Sequence, residues 1–174
     1  MALTLDATVG GASANSYTTA TEGDTYHETR LFAAAWDGAT AAIKEAALVW
    51  ATSMLDRHFD WAGSKFSLTQ ALRWPRFGAL DRDGELFDSD VLPPELKDAV
   101  SELARLLIDA DRGAEKGTEG FSKIKVDVIE LQFDKLDRTK TISDEVYQMV
   151  SHLGRLMSVA SSGGQVAEVP LLRT

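Results

Sequence analysis

The chain has 174 residues and a mass of 18.9 kDa, with 27 acidic and 18 basic residues, a net charge of −9 and no cysteine. The lack of cysteine excludes disulfides, thiolate metal sites and a cysteine nucleophile, and no apolar run approaches the roughly 18 residues that cross a bilayer. The negative charge argues against tight intrinsic binding to nucleic acid, because such binding depends on Lys and Arg.

The first residues, 1–16, are rich in Gly, Ala, Ser and Thr and carry no secretory signal. They predict an extended N-terminal arm, with one short strand at Leu3–Leu5, in an intracellular protein. Thr19 and Glu22 are spaced like a capping box, in which each side chain accepts a hydrogen bond from the other residue's backbone N–H. This pair predicts a first helix from about 20 to 35.

A central helix is predicted over about 41–59, with Thr40 as its N-cap. Apolar residues recur at steps of three and four in two adjoining stripes. The first comprises Ile43, Ala47, Trp50 and Met54, and the second comprises Leu48, Ala51, Leu55 and Phe59. A helix that is apolar over so much of its surface must be covered from more than one side. We therefore expect other helices to wrap around it and to bury Trp50.

The segment after the central helix carries Gln70 and an Arg73-Trp74-Pro75-Arg76 cluster. Arginine beside tryptophan can stack on the ring, and arginine can pair with the acidic residues that follow. We predict that Arg73, Trp74 and Arg76 form a structural contact or bind a partner subunit, and that they are not a DNA site.

An acidic turn follows this cluster. Asp83-Gly84 lies between Leu80 and Leu86, which predicts a small hairpin. A calcium loop with Gly84 at its glycine position would lack the first ligand and the final bidentate glutamate. We therefore interpret the turn as solvated and free of metal.

Two further helices are predicted over 94–111 and 144–158. Pro93-Pro94 opens the first, whose apolar residues have helical spacing, and Ser143 caps the second. The predicted fold class is mainly α, with a four-helix core around the central helix, a long β-strand or hairpin insertion, and extended N- and C-terminal arms. We expect one domain over 1–174, made of the arm 1–16, a helical domain 17–160 with a strand region at 121–134, and a tail 161–174.

A long strand is predicted over 123–134. Its alternation shifts by one residue halfway, from an apolar set of Ile124, Val126 and Val128 to one of Ile129, Leu131 and Phe133. Such a shift sends the second set to the opposite face. Either a bulge lies near Val128-Ile129, or the two halves are buried against different partners. Because one strand needs others to pair with, we expect another subunit to supply them.

The tail follows a Gly163-Gly164 hinge and carries Val169, Leu171 and Leu172, which Pro170 keeps extended. We expect the strand and the tail to act between subunits, by adding along a neighbour's edge. The alternative is a disordered terminus and a strand that folds back on residues 1–9.

Motifs for catalysis, cofactors and metals were not found. The sequence contains no P-loop, no GxSxG elbow and no HExxH pair. Its three histidines, His27, His58 and His152, lack ligand spacing. We therefore expect no catalytic or metal-binding residues, no cofactor and no enzymatic activity.

Several short motifs occur together in one order. They are Asn15-Ser16-Tyr17, Trp36, Trp61–Lys65, Gln70–Arg76, Asp83-Gly84 and Pro93–Ala104. With them the chain resembles a family of tailed-phage proteins described as DnaT-like single-stranded DNA-binding proteins. That family is in turn similar in length and helix order to head–tail connector (adaptor) proteins. The resemblance covers about residues 2–110 and is most specific at Gln70–Arg76.

The connector resemblance implies a structural virion protein of the phage neck that is made in the host cytoplasm. Its subunits would form a homo-oligomeric ring, typically of twelve, between the portal protein and a tail or stopper protein. Genomic DNA would pass through the channel without specific binding, and no membrane would take part. Net negative charge suits such a channel because it repels phosphates.

The alternative is a single-stranded DNA-binding protein. That function needs basic grooves with stacking aromatics, for which Trp61, Trp74, Arg73 and Arg76 are the candidates. The charge, the arm, the unpaired strand and the hinged tail favour ring assembly instead. We therefore expect a connector in preference to a DNA-binding protein, and either of these in preference to an enzyme.

Overall fold

Five helices and six short strands make up the part of the chain that the computed structural model describes, residues 3–114, 123–126, 129–132 and 140–157. The helices are α1 (Ala20–His27), α2 (Ala34–Asp37), α3 (Ala41–His58), α4 (Pro94–Asp109) and α5 (Asp144–Val150). The strands are β1 (Phe59–Trp61), β2 (Ser64–Lys65), β3 (Arg76–Phe77), β4 (Lys123–Val126), β5 (Ile129–Gln132) and β6 (Gly154–Leu156). Within these ranges, no helix is both long and apolar enough to cross a membrane.

The strands form three antiparallel pairs, β1 with β6, β2 with β3, and β4 with β5. In the first pair Phe59 lies opposite Leu156 and Trp61 opposite Gly154. The described structure is therefore mixed in helix and strand, and the prediction of a mainly α fold is right only for the helical core. The sequence-based estimate missed two of these pairs because strands of two or three residues are too short to show alternation.

The core lies between α3 and α4. The helix that packs against all four others is α4, so the prediction that they surround the helix over 41–59 is wrong. Both predicted stretches are confirmed as helices, over 41–58 and 94–109. The fully buried large side chains include Tyr17, Trp36, Leu48, Leu55, Phe59, Leu96, Val100, Leu103 and Val146. This core includes residues from the N-terminal segment to α5. It therefore fixes both ends of the segment that connects α3 to α4.

The predicted helix caps are confirmed. Thr40 accepts a hydrogen bond from the backbone N–H of Ile43, and Ser143 accepts one from that of Val146. Thr19 and Glu22 form the complete capping box at the start of α1. Local side-chain signals therefore located these helix starts correctly.

The predicted helix over 20–35 is wrong in extent, because α1 ends at His27 and α2 begins at Ala34. The chain turns back between them so that the ring of Trp36 packs on Gly23, where an added Cβ would lie only 2.7 Å from it. On one continuous helix these two residues would be about 20 Å apart. The burial of Trp36 therefore breaks the helix.

The predicted helix over 144–158 is also too long, since α5 ends at Val150 and the chain continues as β6. Backbone pairing with β1 draws the chain into an extended form there. A Cβ at Gly154 would lie 2.7 Å from the carbonyl oxygen of Asp60, so glycine permits this close approach. Pairing with a distant strand thus overrides the local helical pattern.

The first stripe of the central helix is only partly buried. Ala47 and Met54 are in the core, whereas Trp50 is 51% exposed and Ile43 is also exposed. The prediction that Trp50 is a core residue is wrong, because α4 covers the second stripe more fully than the first. Ile43 and Trp50 instead line a groove between α3 and α4.

The predicted single strand over 123–134 is a hairpin of β4 and β5. Ile124 pairs with Leu131 and Val126 with Ile129. The shift in alternation marks the reversal of the chain, so the two halves supply each other's partner strand. Val128 and Phe133 lie outside the described residues, as does the tail with Val169, Leu171 and Leu172.

The N-terminal residues do not form the predicted strand at Leu3–Leu5, and they are not simply extended. The backbone carbonyl of Asp6 accepts hydrogen bonds from the N–H groups of Asn15 and Ser16, and the Asn15 side chain bonds back to Asp6 and Thr4. The carbonyl of Gly11 also accepts a hydrogen bond from the N–H of Ala71 at 3.0 Å. This segment therefore packs against the loop before α4.

We expect Trp36→Ala to lower the free energy of unfolding by about 3–5 kcal/mol, because it empties a fully buried site. Trp50→Ala is the matched control and should cost no more than about 2 kcal/mol, since half of that side chain is already in water. Urea unfolding of both variants measures the difference. Equal losses would contradict the assignment of Trp36 to the core and Trp50 to the surface.

The α1 cap should make stability depend on pH. Burial would raise the pKa of Glu22, but hydrogen bonds from Lys97 and Thr19 outweigh it and lower that pKa from 4.5 to about 2. Since the carboxylate is favoured in the folded state, its contribution is complete above pH 4.5 and is lost as the pH falls towards 2.

We therefore expect Glu22→Gln to destabilise the protein at pH 7 and to have a much smaller effect near pH 2, where the wild-type side chain is about half protonated in the folded state. Glutamine keeps a carbonyl oxygen for the capping box, so the variant isolates the charge. Thermal midpoints between pH 2 and 7 measure this gap, with the exposed Glu28→Gln as control. A gap of the same size at pH 2 would contradict the account.

Candidate nucleic-acid interface

The candidate site lies in the segment between α3 and α4, on a short antiparallel ribbon. Ser64 pairs with Phe77 and Lys65 with Arg76, and the N–H of Phe66 donates to the carbonyl of Pro75 at 3.2 Å. We call residues 64–77, the two strands and the loop between them, the ribbon. Its shape is set by hydrogen bonds that involve four polar side chains, those of Arg76, Gln70, Asp56 and Tyr17.

Arg76 holds the base of the ribbon. Its guanidinium donates hydrogen bonds to four backbone carbonyls, those of Trp61 (3.2 Å), Ala62 (2.5 Å), Gly63 (2.6 Å) and Arg73 (3.1 Å). Burial lowers the pKa of Arg76 from its ordinary value. A planar side chain with five donors is suited to gather carbonyls from two separate stretches of chain.

Gln70 holds the loop of the ribbon in the same way. Its side-chain oxygen accepts from the N–H of Ser67 at 2.8 Å, and its amide group donates to the carbonyls of Leu72 (3.0 Å) and Pro75 (3.1 Å). The side chain is buried. It therefore satisfies backbone groups that a loop without regular structure would otherwise leave unpaired.

Asp56 and Tyr17 join the ribbon to α3. The Asp56 carboxylate accepts from the Tyr17 hydroxyl (2.6 Å), the Trp61 indole N–H (3.1 Å) and the Arg73 backbone N–H (3.1 Å). The Tyr17 hydroxyl in turn accepts from the backbone N–H of Trp74 at 3.1 Å. Burial raises the pKa of Asp56 and raises that of Tyr17 well above its ordinary value.

The outer face of the ribbon carries exposed apolar side chains. Phe66 is 52% exposed and Phe77 is 66% exposed. Phe77 lies opposite Ser64 in the register, and the hydrogen bond from Phe66 to Pro75 continues the pairing by one residue. Phe66 and Phe77 are therefore diagonal neighbours on one face, a relation that separates residues by about 7–8 Å. Leu68 lies at the exposed tip of the loop. Two exposed aromatic side chains on one face offer a platform on which flat apolar groups can stack.

The charge around this platform is locally positive. Residues 61–80 contain Lys65, Arg73 and Arg76 and no acidic residue, in a chain with 27 acids. Lys65 and Arg73 are exposed, and neither forms an ion pair with another residue of the described ranges. Residues 61–80 therefore carry three basic side chains and no acidic one, in contrast to the net charge of −9 of the whole chain.

The acidic turn follows the ribbon directly in sequence. Leu80 and Leu86 form a bridge, which confirms the predicted hairpin. The Asp81 carboxylate accepts hydrogen bonds from the backbone N–H groups of Asp83 and Glu85, so its role is to hold the turn. Among the described residues, no group of three His, Cys, Asp or Glu side chains could hold a metal ion.

The structure divides the residues that the sequence singled out. Trp61, Trp74 and Arg76 are buried, and only Arg73 of the predicted DNA-binding candidates is exposed. The β4–β5 hairpin contains Ile124, Val126, Ile129 and Leu131. Whether these residues bind a partner subunit stays a prediction.

Phe66 and Phe77 were missed by the sequence analysis. The sequence analysis named the tryptophans as candidates for stacking on DNA bases, but large aromatic residues are also the ones that fill a core. Two signals pointed to the phenylalanines: Phe77 directly follows Arg76, and Phe66 directly follows Lys65, so each alternates with a basic residue. The absence of acids from 61–80 was a third signal.

The chain was compared with known protein families. Over residues 1–174 the chain matches the family described as "Putative DnaT-like ssDNA binding protein". The chain belongs to this family. No curated protein and no solved structure matches the chain significantly.

The family match corrects the functional prediction. The match extends over the whole chain, whereas the resemblance seen in the sequence covered about residues 2–110, and its description agrees with the alternative function. The prediction of a head–tail connector, with its portal contact and DNA channel, is wrong: nothing found supports it, and the family description points elsewhere. The error came from treating the net charge as uniform along the chain, whereas residues 61–80 contain no acidic residue.

The stability of the ribbon should depend far more on the buried Arg76 than on the exposed Arg73. We expect Arg76→Met to lower the free energy of unfolding by at least about 2 kcal/mol, because buried carbonyls left without a donor cost ~1–3 kcal/mol each. Arg73→Met is the matched control and should stay within about 0.5 kcal/mol, as surface substitutions do. Equal losses in urea unfolding would contradict the role assigned to the Arg76 guanidinium.

Proposed function

We propose that the protein binds single-stranded DNA through the ribbon, as a binding protein without catalytic activity. The observation that carries the proposal is the pair of exposed rings, Phe66 and Phe77, on one face of the ribbon. Bases of a single strand have free faces, and stacking on an aromatic side chain contributes about 1–3 kcal/mol per base. Family membership supports the same function.

Lys65 and Arg73 supply the second part of the mechanism. Both are exposed on the ribbon, where they can contact phosphates and release counterions from the strand. Stacking is tolerant of sequence because every base has a π face. We therefore expect binding with little base preference, and a clear preference for single strands over duplex DNA, whose bases are already stacked.

The net charge of −9 sets the conditions under which this binding occurs. The net negative charge repels phosphate at long range and slows association, and salt weakens this repulsion. Salt also weakens the favourable contacts that Lys65 and Arg73 make with phosphates. Only two exposed cations serve the ribbon, so we expect modest affinity. The rings, which are insensitive to salt, should carry much of the free energy of binding.

The first test is a titration of a fluorescent oligothymidine of roughly 16 nucleotides, followed by anisotropy. We expect Phe66→Ala and Phe77→Ala each to weaken binding by roughly 5- to 150-fold, the equivalent of ~1–3 kcal/mol. The salt slope should not change, since no charge is removed. Leu86→Ala is the control, an exposed apolar residue on the acidic turn.

The second test separates charge from stacking. Arg73→Ala should reduce the slope of log affinity against log salt by about 0.7, the value for one phosphate contact on a single strand. Arg155→Ala removes an exposed arginine that already pairs with Asp60, and should leave the slope unchanged. The proposal is wrong if the wild-type protein does not bind the strand, or if the two phenylalanines can be replaced without loss.

A further inference from the structure

The loop between α1 and α2 presents two neighbouring apolar side chains to solvent. Leu31 is 94% exposed and Phe32 is 85% exposed. Burying such a side chain contributes about 1.5–3 kcal/mol, so leaving both in water forgoes a large gain. We call this pair the knob.

The knob is held in place on both sides. Before it, the buried His27 contacts the carbonyl of Ser101 on α4 at 3.1 Å, and the carbonyl of His27 accepts from the N–H of Arg30. After it, Ala33 is buried and Trp36 fills the core. A protruding group with fixed ends loses little conformational entropy when it binds.

A groove lined by other residues offers an apolar surface to such a pair. It lies between α3 and α4, has a volume of about 480 Å³, and is lined mainly by Ile43, Ala46, Trp50, Leu107 and Ile108. Ile43 and Trp50 are about half exposed. The space falls in the range that accepts a few apolar groups, since drug-sized ligands occupy about 300–1,000 Å³.

We infer that the knob of one copy of this chain binds in the α3/α4 groove of a second copy. Within one protomer the knob stays exposed, so its own groove does not receive it. Charge favours the pairing as well: Arg30 directly precedes the knob, and Asp111 lines one side of the groove. Neither side chain forms an ion pair with another residue of the described ranges.

The contact is head-to-tail, because it joins two different surfaces. After one contact forms, the first copy still has a free groove and the second copy still has a free knob, so association continues from copy to copy in one direction. The contact is independent of the proposed DNA binding, since neither surface includes the ribbon. On a single strand it would place neighbouring copies side by side, which is how cooperative binding arises.

Complementation between two defective variants tests this inference without DNA. Phe32→Asp removes the knob and Trp50→Asp blocks the groove. Ile43→Glu is a second groove variant in case Trp50→Asp unfolds, and circular dichroism checks each fold. Leu86→Asp is the control, another exposed apolar residue that is outside both surfaces. Sedimentation velocity then gives the mass of each sample over a range of concentrations.

We expect the wild type and Leu86→Asp to associate, and each defective variant to do so roughly 30-fold or more weakly, as for a central interface residue. A mixture of a knob variant and a groove variant keeps one intact contact, so it should stop at twice the 18.9 kDa protomer mass. The inference is overturned if the wild type is monomeric throughout, if a folded knob or groove variant still associates like the wild type, or if the mixture stays monomeric.

Discussion

The candidate site depends on the hydrogen bonds that the Asp56 carboxylate accepts. It receives hydrogen bonds from the Tyr17 hydroxyl, the Trp61 indole and the Arg73 backbone, and so joins the N-terminal segment, the end of α3 and the ribbon. The group is half-buried, and burial raises its pKa. A buried carboxylate is tolerated only where donors satisfy it. Removing any of these partners would leave polar groups unpaired at the point where three parts of the chain meet.

The side chains of the ribbon have two different roles. Gln70, Trp74 and Arg76 are buried and hold backbone groups or fill the core, whereas Phe66 and Phe77 face solvent. The Arg73–Arg76 cluster that the sequence singled out is therefore largely structural, and the side chains to which we assign DNA binding are Phe66 and Phe77. Rigid support of this kind suits a binding site, because exposed side chains are then presented without a cost in ordering the loop.

Local signals predicted much of the helical core. The periodicity of α3 and α4 and the caps at Thr19, Thr40 and Ser143 were sufficient, since each depends on neighbours in sequence. The failures were non-local: the break after His27 requires the contact between Trp36 and Gly23, and the short α5 requires pairing of β6 with β1. The sequence indicated the segment that carries the candidate site, but not which of its residues are exposed. Packing across the whole chain decides which aromatic side chains face water.

Chemical-shift mapping by nuclear magnetic resonance tests the central claim most directly, since it reports which backbone amides sense the bound strand. On titration with oligothymidine, the account predicts the largest shifts at the amides of Lys65, Phe66, Arg73 and Phe77, and small shifts on the acidic turn at 81–90. Shifts that leave the ribbon unchanged and cluster on another surface would contradict it, as would the absence of any shift at strand concentrations well above that of the protein.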